Sequence, residues 1–545
     1  MTIAFKTKWL PAIISGLMLT AAFPKAGFSV LAWFALVPLF ITLRELNPKD
    51  AFRFGMITGL VHYLTLLYWV VITMRTYGYL PWWQCVSLLV LLAAYLALYP
   101  GLFALAIARM CTKPGLLILL APVFWVALEY MRAILMTGFP WGLIGYSQFN
   151  RLHIIQISDM FGVYGISFLV VLCNAAVYVL LLFAAQKKWR GHPVAKRQVI
   201  TAALLPIILM GACLGYGSMR IGATDQAAAQ AASFRVALIQ GNIDQARKWD
   251  PAFQISTTKK YIDLTLSAAA HEPDLVVWPE TATPFYFEAS PKLTRLVIDA
   301  IREAGVHLLV GSPSVQGQPG SQAYFNSAYM VAPDGGVTGR YDKVHLVPFG
   351  EYVPLKHLLS FVGKMVAQVG DFSVGERGRT LAWGDDNPAI GVQICFEIIF
   401  PGLSRSLVKN GAGVLVNLTN DAWFGKSSAA YQHLSMAVFR AVENRRSLVR
   451  CANTGISAFV DPAGRILVYT ALFEDAVVAR TVPVLFEKTV YTQIGDVLPL
   501  VCLILLGLLV GRSLIDRGAA GNGGMRVNVS DRIKKLVGRM ADKRR

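Results

Sequence analysis

Charge is scarce in these 545 residues: Asp, Glu, Lys and Arg together make up 15% of the chain, against 55% for hydrophobic residues. Ordinary soluble domains run near ~25% and ~45–50%. So little charge excludes a disordered chain and an ordinary soluble enzyme, and points to a protein that is largely membrane embedded. Cysteine is sparse as well. Of the seven, Cys85, Cys111, Cys173, Cys213 and Cys502 lie in or beside long apolar runs, which leaves Cys395 and Cys451 in the polar part. That excludes a disulfide-rich secreted domain. One Cys395–Cys451 bridge stays open, although the chemistry argued below asks for a free Cys395. No Gly-rich phosphate loop is present, and the eight histidines show no HExxH or related spacing. Neither a metal nor a cofactor is expected. Internal repeats are missing too.

What the chain does have is long apolar runs. A bilayer span needs roughly 20 mostly apolar residues. Candidates lie near 9–23, 27–43, 55–74, 85–108, 115–134, 162–185 and 198–217, with an eighth near 496–514. The predicted organisation is a membrane bundle of about seven spans (residues 1–218), an external domain (219–494), a last transmembrane helix (495–515) and a basic tail (516–545).

The net charge of +19 would ordinarily suggest an anionic partner such as nucleic acid. Its distribution says otherwise. Residues 219–494 hold 25 basic and 24 acidic residues, leaving 26 basic and 8 acidic residues elsewhere. Alternate loops carry most of these: Lys6 and Lys8; Arg44, Lys49 and Arg53; Arg109 and Lys113; the cluster from Lys187 to Arg197; and ten from Arg512 to Arg545. The opposite loops have Lys25, Arg75, Arg132 and Arg151. Positive-inside asymmetry puts both termini in the cytoplasm and the large domain on the far side of the membrane. Trp82, Trp83 and Trp141, each next to a Pro–Trp step, fall where an outer aromatic belt is expected. The tail lacks interleaved aromatics, so it reads as a topology anchor and no nucleic-acid partner is expected.

The external domain carries short Val/Ile/Leu-rich runs separated by helical patterns: Phe234–Ile239, Leu275–Trp278, Val306–Val310, Ala328–Val331, Ala389–Ile394 and Gly413–Asn417. Near-continuous apolar strands are buried on both faces, which predicts an α/β sandwich. Three reactive residues sit at the ends of such runs: Glu280 after DLVVWP, Lys343 after VTGRYD and Cys395 after AIGVQI. Strand ends are where α/β sites gather. A thiol, a carboxylate able to take its proton and an ammonium able to hold an oxyanion make a complete nucleophilic set. Each residue alone reads equally as a buried small hydrophobe or a turn residue.

The segments VVWPE, YDKVHLVPFGEYVP and GVQICFE resemble the three catalytic segments of the nitrilase (carbon-nitrogen hydrolase) superfamily. That likeness implies an αββα sandwich and a Glu280–Lys343–Cys395 triad. The outer-loop stretch GFPWGLIGYSQ (Gly138–Gln148), LTNDAWFG and the flanking spans are similar to the apolipoprotein N-acyltransferases within it. This wider likeness implies transfer of an acyl chain from a phospholipid, typically phosphatidylethanolamine, to the α-amino group of an apolipoprotein's N-terminal S-diacylglyceryl cysteine. The transfer would pass through a thioester on Cys395. It also implies supporting roles for Glu351 and Glu397, site-lining or lid roles for Trp249 and Trp423, and a monomer. Phe396 stands where some relatives carry Tyr, so no hydroxyl acts there. On their own terms Glu351 and Glu397 read as surface carboxylates and the two tryptophans as packing. Cys451 and His345 read as structural.

The stretch 352–369 is apolar at helical spacing, and reads either as an amphipathic arm touching the outer leaflet or as a core helix. The alternative function is a membrane-tethered nitrilase-type amidase acting on a small amide, with water as second nucleophile. A transporter or scaffold is a further alternative. The many spans argue against the amidase, and the reactive trio against the scaffold.

Overall fold

The computed structural model describes residues 8–318, 320–353, 371–384 and 387–522. The arm expected near 352–369 and most of the basic tail lie outside them.

The N-terminal part is helical throughout. Among the described residues, five helices are long and apolar enough to cross a membrane: Trp82–Met110, Pro114–Thr137, Val163–Ala184, Lys196–Gln230 and Val497–Asp516. A sixth crossing is built if Pro48–Leu66 and Trp69–Thr76, bent by 51° at the break between them, count as one span. The first two candidates of the sequence are shorter than spans. Trp9–Ala21 has 13 residues, and 27–43 divides into a 3-10 turn (Ser29–Trp33) and a seven-residue helix (Val37–Leu43). Apolarity marked this stretch, but apolarity does not report where a helix is interrupted. The helix Lys196–Gln230 also runs past residue 218. Its Ala-rich end (ATDQAAAQ) has high helix propensity, so the helix continues almost to the first strand.

Outward faces such as Ile207, Ile208 and Leu508 are exposed, as lipid-facing side chains must be. Trp82 and Trp83 are likewise exposed at the start of their helix. Trp141 is a correction. It is only 1% exposed, because its loop folds inward: Arg132 donates to the carbonyls of Phe139 and Trp141 (3.0 and 2.6 Å), and the Trp141 indole donates to Gln432 (2.8 Å). Its partners come from both parts of the chain, Arg132 and Trp69 on membrane helices and Gln432 and His433 in the domain that follows, so it is buried at their junction.

The second part is two sheets face to face. One has six strands in the order β11-β1-β2-β3-β4-β5: β1 (Ser233–Gln240), β2 (Leu275–Val277), β3 (His307–Gln316), β4 (Ala323–Val331), β5 (Val337–Asp342) and β11 (Ala476–Pro483). The other has five in the order β10-β9-β8-β7-β6: β6 (Ile390–Ile394), β7 (Val414–Thr419), β8 (Ser447–Ala452), β9 (Ala458–Val460) and β10 (Ile466–Tyr469). In each sheet three neighbouring strands run parallel: β1–β2–β3 and β6–β7–β8. Several of these, β2, β6 and β7, are buried at every position, which is why they read as continuous apolar runs. Helices Gln254–Ala269 and Pro291–Ala304 pack on the first sheet, and Pro401–Lys409 and Ala429–Asn444 belong to the second. The result is the expected αββα sandwich. Cys451 lies at the seam, its thiol donating to the carbonyls of Val277 and Ile239 (3.2 and 3.4 Å). All seven cysteines are free, so no Cys395–Cys451 bridge forms.

Candidate active site

Glu280, Lys343 and Cys395 each follow the last residues of a strand: β2, β5 and β6. The topology brings these three ends together at one end of the sandwich. Glu280 is 7% exposed and Lys343 1%. One oxygen of Glu280 accepts from Asn326 Nδ2 (2.8 Å) and Lys343 Nζ (3.4 Å), and the other accepts from the backbone N–H of Asn420 (2.9 Å). Lys343 donates a shorter bond to Glu351 (2.9 Å), which also accepts from Asn326 (3.0 Å) and the Val347 N–H (2.8 Å). Glu351 is therefore tied to the Lys343 ammonium and is no surface group. Burial alone would lower the Lys343 ammonium. The Glu351 and Glu280 carboxylates more than reverse this and hold it above the ordinary lysine range, so it stays charged.

Cys395 sits on a strained elbow. Its φ is +53°, a left-handed value that costs a non-glycine residue about 1–2 kcal/mol. The strand β6 ends there and a 3-10 turn (Cys395–Ile399) begins, which turns the thiol out of the sheet. Burial, then the Glu280 carboxylate, push this thiol well above its ordinary range, while Lys343 and a hydrogen bond with Thr419 oppose them. At rest Cys395 is a thiol, and the carboxylates that act on it are Glu280 and, more weakly, Asp421.

Glu397 fastens the lysine loop to the cysteine elbow. Fully buried, it accepts from the backbone N–H groups of Ile394 (2.6 Å), Val344 (2.6 Å) and His345 (3.1 Å), and from the Tyr341 hydroxyl. Burial raises its carboxyl to about 7 despite these donors. Removing it leaves three buried N–H groups unpaired, at about 1–3 kcal/mol each. Glu397→Ala is therefore expected to lower the melting temperature by about 5 °C or more and to cut turnover, both read on purified protein in detergent. A melting point within a degree of wild type would mean that the carboxylate is dispensable to the fold.

The remaining expected residues fall around this centre. Phe396 packs on Phe400 (ring centroids 5.4 Å apart) and on His345 (6.0 Å), whose imidazole burial lowers to about 4. Trp423 is half-buried against Tyr77 of the membrane part (5.0 Å), and its carbonyl accepts from Thr73 (2.8 Å). The Tyr77 hydroxyl donates to the neighbouring Ala422 carbonyl (2.8 Å). Membrane helix Trp69–Thr76 and the residue after it thus grip the turn Asp421–Phe424. Trp249 is half-buried one position after Lys248, and among the described residues its indole makes no hydrogen bond to Glu280, Lys343 or Cys395.

Several residues at the centre gave no signal in the sequence. Lys248 is buried and donates to the Glu280 carbonyl (3.2 Å) and to Thr281 Oγ1 (2.6 Å). Asn326 and Asn420 hold Glu280. Asp421 accepts from Thr419 (2.9 Å), His433 (3.2 Å) and Arg450 (2.7 Å). Burial would raise the Asp421 carboxyl, but Arg450 and His433 hold it well below the usual carboxylate range. Gly311 allows the close passage of β3: a Cβ there would sit 2.3 Å from the Pro279 carbonyl oxygen and 2.8 Å from Glu280 Cα. Among the described residues, no group of three His, Cys, Asp or Glu side chains is placed to hold a metal ion.

Comparison with known proteins agrees in both halves. Residues 15–176 match the apolipoprotein N-acyltransferase N-terminal domain, and residues 235–486 match the carbon-nitrogen hydrolase family. An apolipoprotein N-acyltransferase from Geobacter metallireducens is 45% identical over 495 residues, covering 91% of this chain and 93% of its own. One from Methylococcus capsulatus is 33% identical, covering 89% and 92%. Among solved structures, an amidase from Nesterenkonia sp. aligns at 21% identity and TM-score 0.36, over 49% of this chain and 94% of its own.

Proposed function

The chain belongs to the apolipoprotein N-acyltransferase family, bacterial membrane enzymes that transfer an acyl chain to an apolipoprotein, and from that premise we propose how its own residues carry the reaction. Glu280 takes the Cys395 proton as the sulfur attacks the ester carbonyl of a phospholipid, phosphatidylethanolamine being the expected donor. The carbonyl becomes a tetrahedral oxyanion beside the Lys343 ammonium. Collapse breaks the ester C–O bond, Glu280 returns the proton to the leaving alkoxide, and lysophospholipid departs. A thioester remains on Cys395. The α-amine of the diacylglyceryl cysteine then attacks that thioester and gives a proton to Glu280. Collapse expels the sulfur, which recovers the proton. Glu351 keeps Lys343 in place, and Glu397 keeps the lysine loop and the cysteine elbow in register.

The observation that carries this reading is the grip of Thr73 and Tyr77 on the turn 421–424. It sets the catalytic centre against the membrane helices, where an acyl donor resides. Water in place of the amine would make the same centre an amidase-like hydrolase. The test uses purified protein, phosphatidylethanolamine and a synthetic diacylglyceryl-cysteinyl peptide in mixed micelles. Equal yields of lysophospholipid and N-acyl peptide are expected. Lysophospholipid with free fatty acid and no N-acyl peptide would make the protein a hydrolase.

The distribution of basic residues supports cytoplasmic termini and a periplasmic catalytic domain. Alkaline phosphatase fused after residue 515 should then be inactive in cells, and one inserted in the exposed Gly317–Ser321 turn active. The reverse pattern would invert the orientation.

A further inference from the structure

Lys248 is a buried lysine, 1% exposed, and among the described residues no carboxylate makes an ion pair with it. Two of its three N–H donors are spent on one peptide: the Glu280 carbonyl and the Thr281 hydroxyl. That peptide needs holding. Thr281 has φ +47°, a left-handed value, directly after the base. The loop that carries Lys248 is itself fixed to the site. The Lys248 N–H donates to the Asp244 carbonyl (3.0 Å), and the Ile243 N–H to Asn453 Oδ1 (2.8 Å). Gln245 accepts from Asn420 Nδ2 (2.6 Å), the residue whose backbone N–H bonds Glu280. Burial lowers the Lys248 ammonium to about 8, while Glu280 and Cys395 oppose the shift.

We propose that Lys248 is a positioning residue for the acyl-transfer centre, clamping the Glu280–Thr281 turn so that the carboxylate faces the thiol. This rests on the reading of Cys395 as the nucleophile. Two bonds from one buried ammonium hold a turn whose second residue is left-handed. Removing them releases the turn and lets the carboxylate swing away from the sulfur.

The test is the rate of Cys395 alkylation by iodoacetamide at one fixed pH in the full-length protein in lipid nanodiscs, read by mass on the Cys395 peptide, alongside acyl-transfer turnover and melting temperature. K248M loses both clamp bonds and should slow alkylation and turnover about tenfold or more, as a displaced catalytic group does. K248R, which keeps N–H donors at that place, should recover more of both rates than K248M. Wild-type alkylation in K248M overturns the proposal whatever turnover does, as does a K248R no faster than K248M. T281V removes the shorter clamp bond and keeps the lysine, so it covers the case in which the lysine variants do not fold. It should lower both rates; unchanged rates overturn the clamp. Alkylation needs no acyl transfer, so failure of the acyltransferase reading leaves this test intact. Failure of the nucleophile assignment would show separately, as a Cys395 that never alkylates in wild type.

Discussion

Replacing Cys395 by serine is expected to remove acyl transfer, with kcat falling by at least about 10⁴-fold while the protein keeps its fold. Serine nearly matches cysteine in size, so the elbow at φ +53° and the bonds of Glu397 to Ile394, Val344 and His345 remain. The chemistry does not survive the exchange. A hydroxyl is far harder to ionise than a thiol, and this site already disfavours an anion at that position: burial and the Glu280 carboxylate both push the thiol up. One ammonium suited to a thiolate cannot supply the extra ionisation an alkoxide needs. The product would also be an ester, which an amine attacks more slowly than a thioester. The measurement is N-acyl peptide formation by purified variant and wild type, with melting temperature as the control. Retention of a tenth of wild-type activity would place the nucleophile elsewhere.

Glu280→Gln should be the next most damaging, with acylation slowed by about 10²–10⁴-fold, the usual range for a positioned proton acceptor. The amide keeps the shape of the carboxylate and loses its proton affinity. It also turns one oxygen into a donor. Both Glu280 oxygens now accept, from Asn326, Lys343 and the Asn420 N–H, so either orientation of the amide sets two donors against each other. Lys343 loses one of the two carboxylates that hold it charged in a buried place. Single-turnover release of lysophospholipid reads the first half-reaction alone. A rate within threefold of wild type would assign the base to another group.

The residues read best from the sequence are those that close an apolar strand. Glu280 and Cys395 each stand where a Val/Ile-rich run stops, and an abrupt reactive side chain there is visible against its background; Lys343 follows the polar strand VTGRYD and is legible through its segment YDKVHLVPFGEYVP instead. Lys248 was invisible for the opposite reason: QARKWD reads as a solvated charged turn, and lysines are rarely buried. Asn326 lies inside β4, Arg450 inside β8 and His433 inside a helix, so nothing in their immediate neighbours marks them. Strand β8 (SLVRCA) itself was missed because Arg450 interrupts its apolar run, although the side chain is buried on Asp421 and Asn417. Trp141 shows what composition cannot reach. Beside a proline in an outer loop it looks like an interfacial anchor, yet it is stacked on His433 and edge-on to Phe424 behind the catalytic elbow. Its place is set by Arg132, nine positions away in sequence but useful only once the loop has folded back.

The central claim is that the acyl chain passes through a thioester on Cys395, and the mass of the Cys395 peptide tests it most directly. Purified protein is incubated with phosphatidylethanolamine of one acyl composition and no acceptor, then digested at low pH. The Cys395 peptide should gain the mass of one acyl group. That adduct should vanish on brief exposure to a diacylglyceryl-cysteinyl peptide, with the same acyl group appearing on its α-amine, and should persist far longer in water alone. N-acyl peptide forming at the full rate in protein whose Cys395 never carries an acyl group would contradict the account.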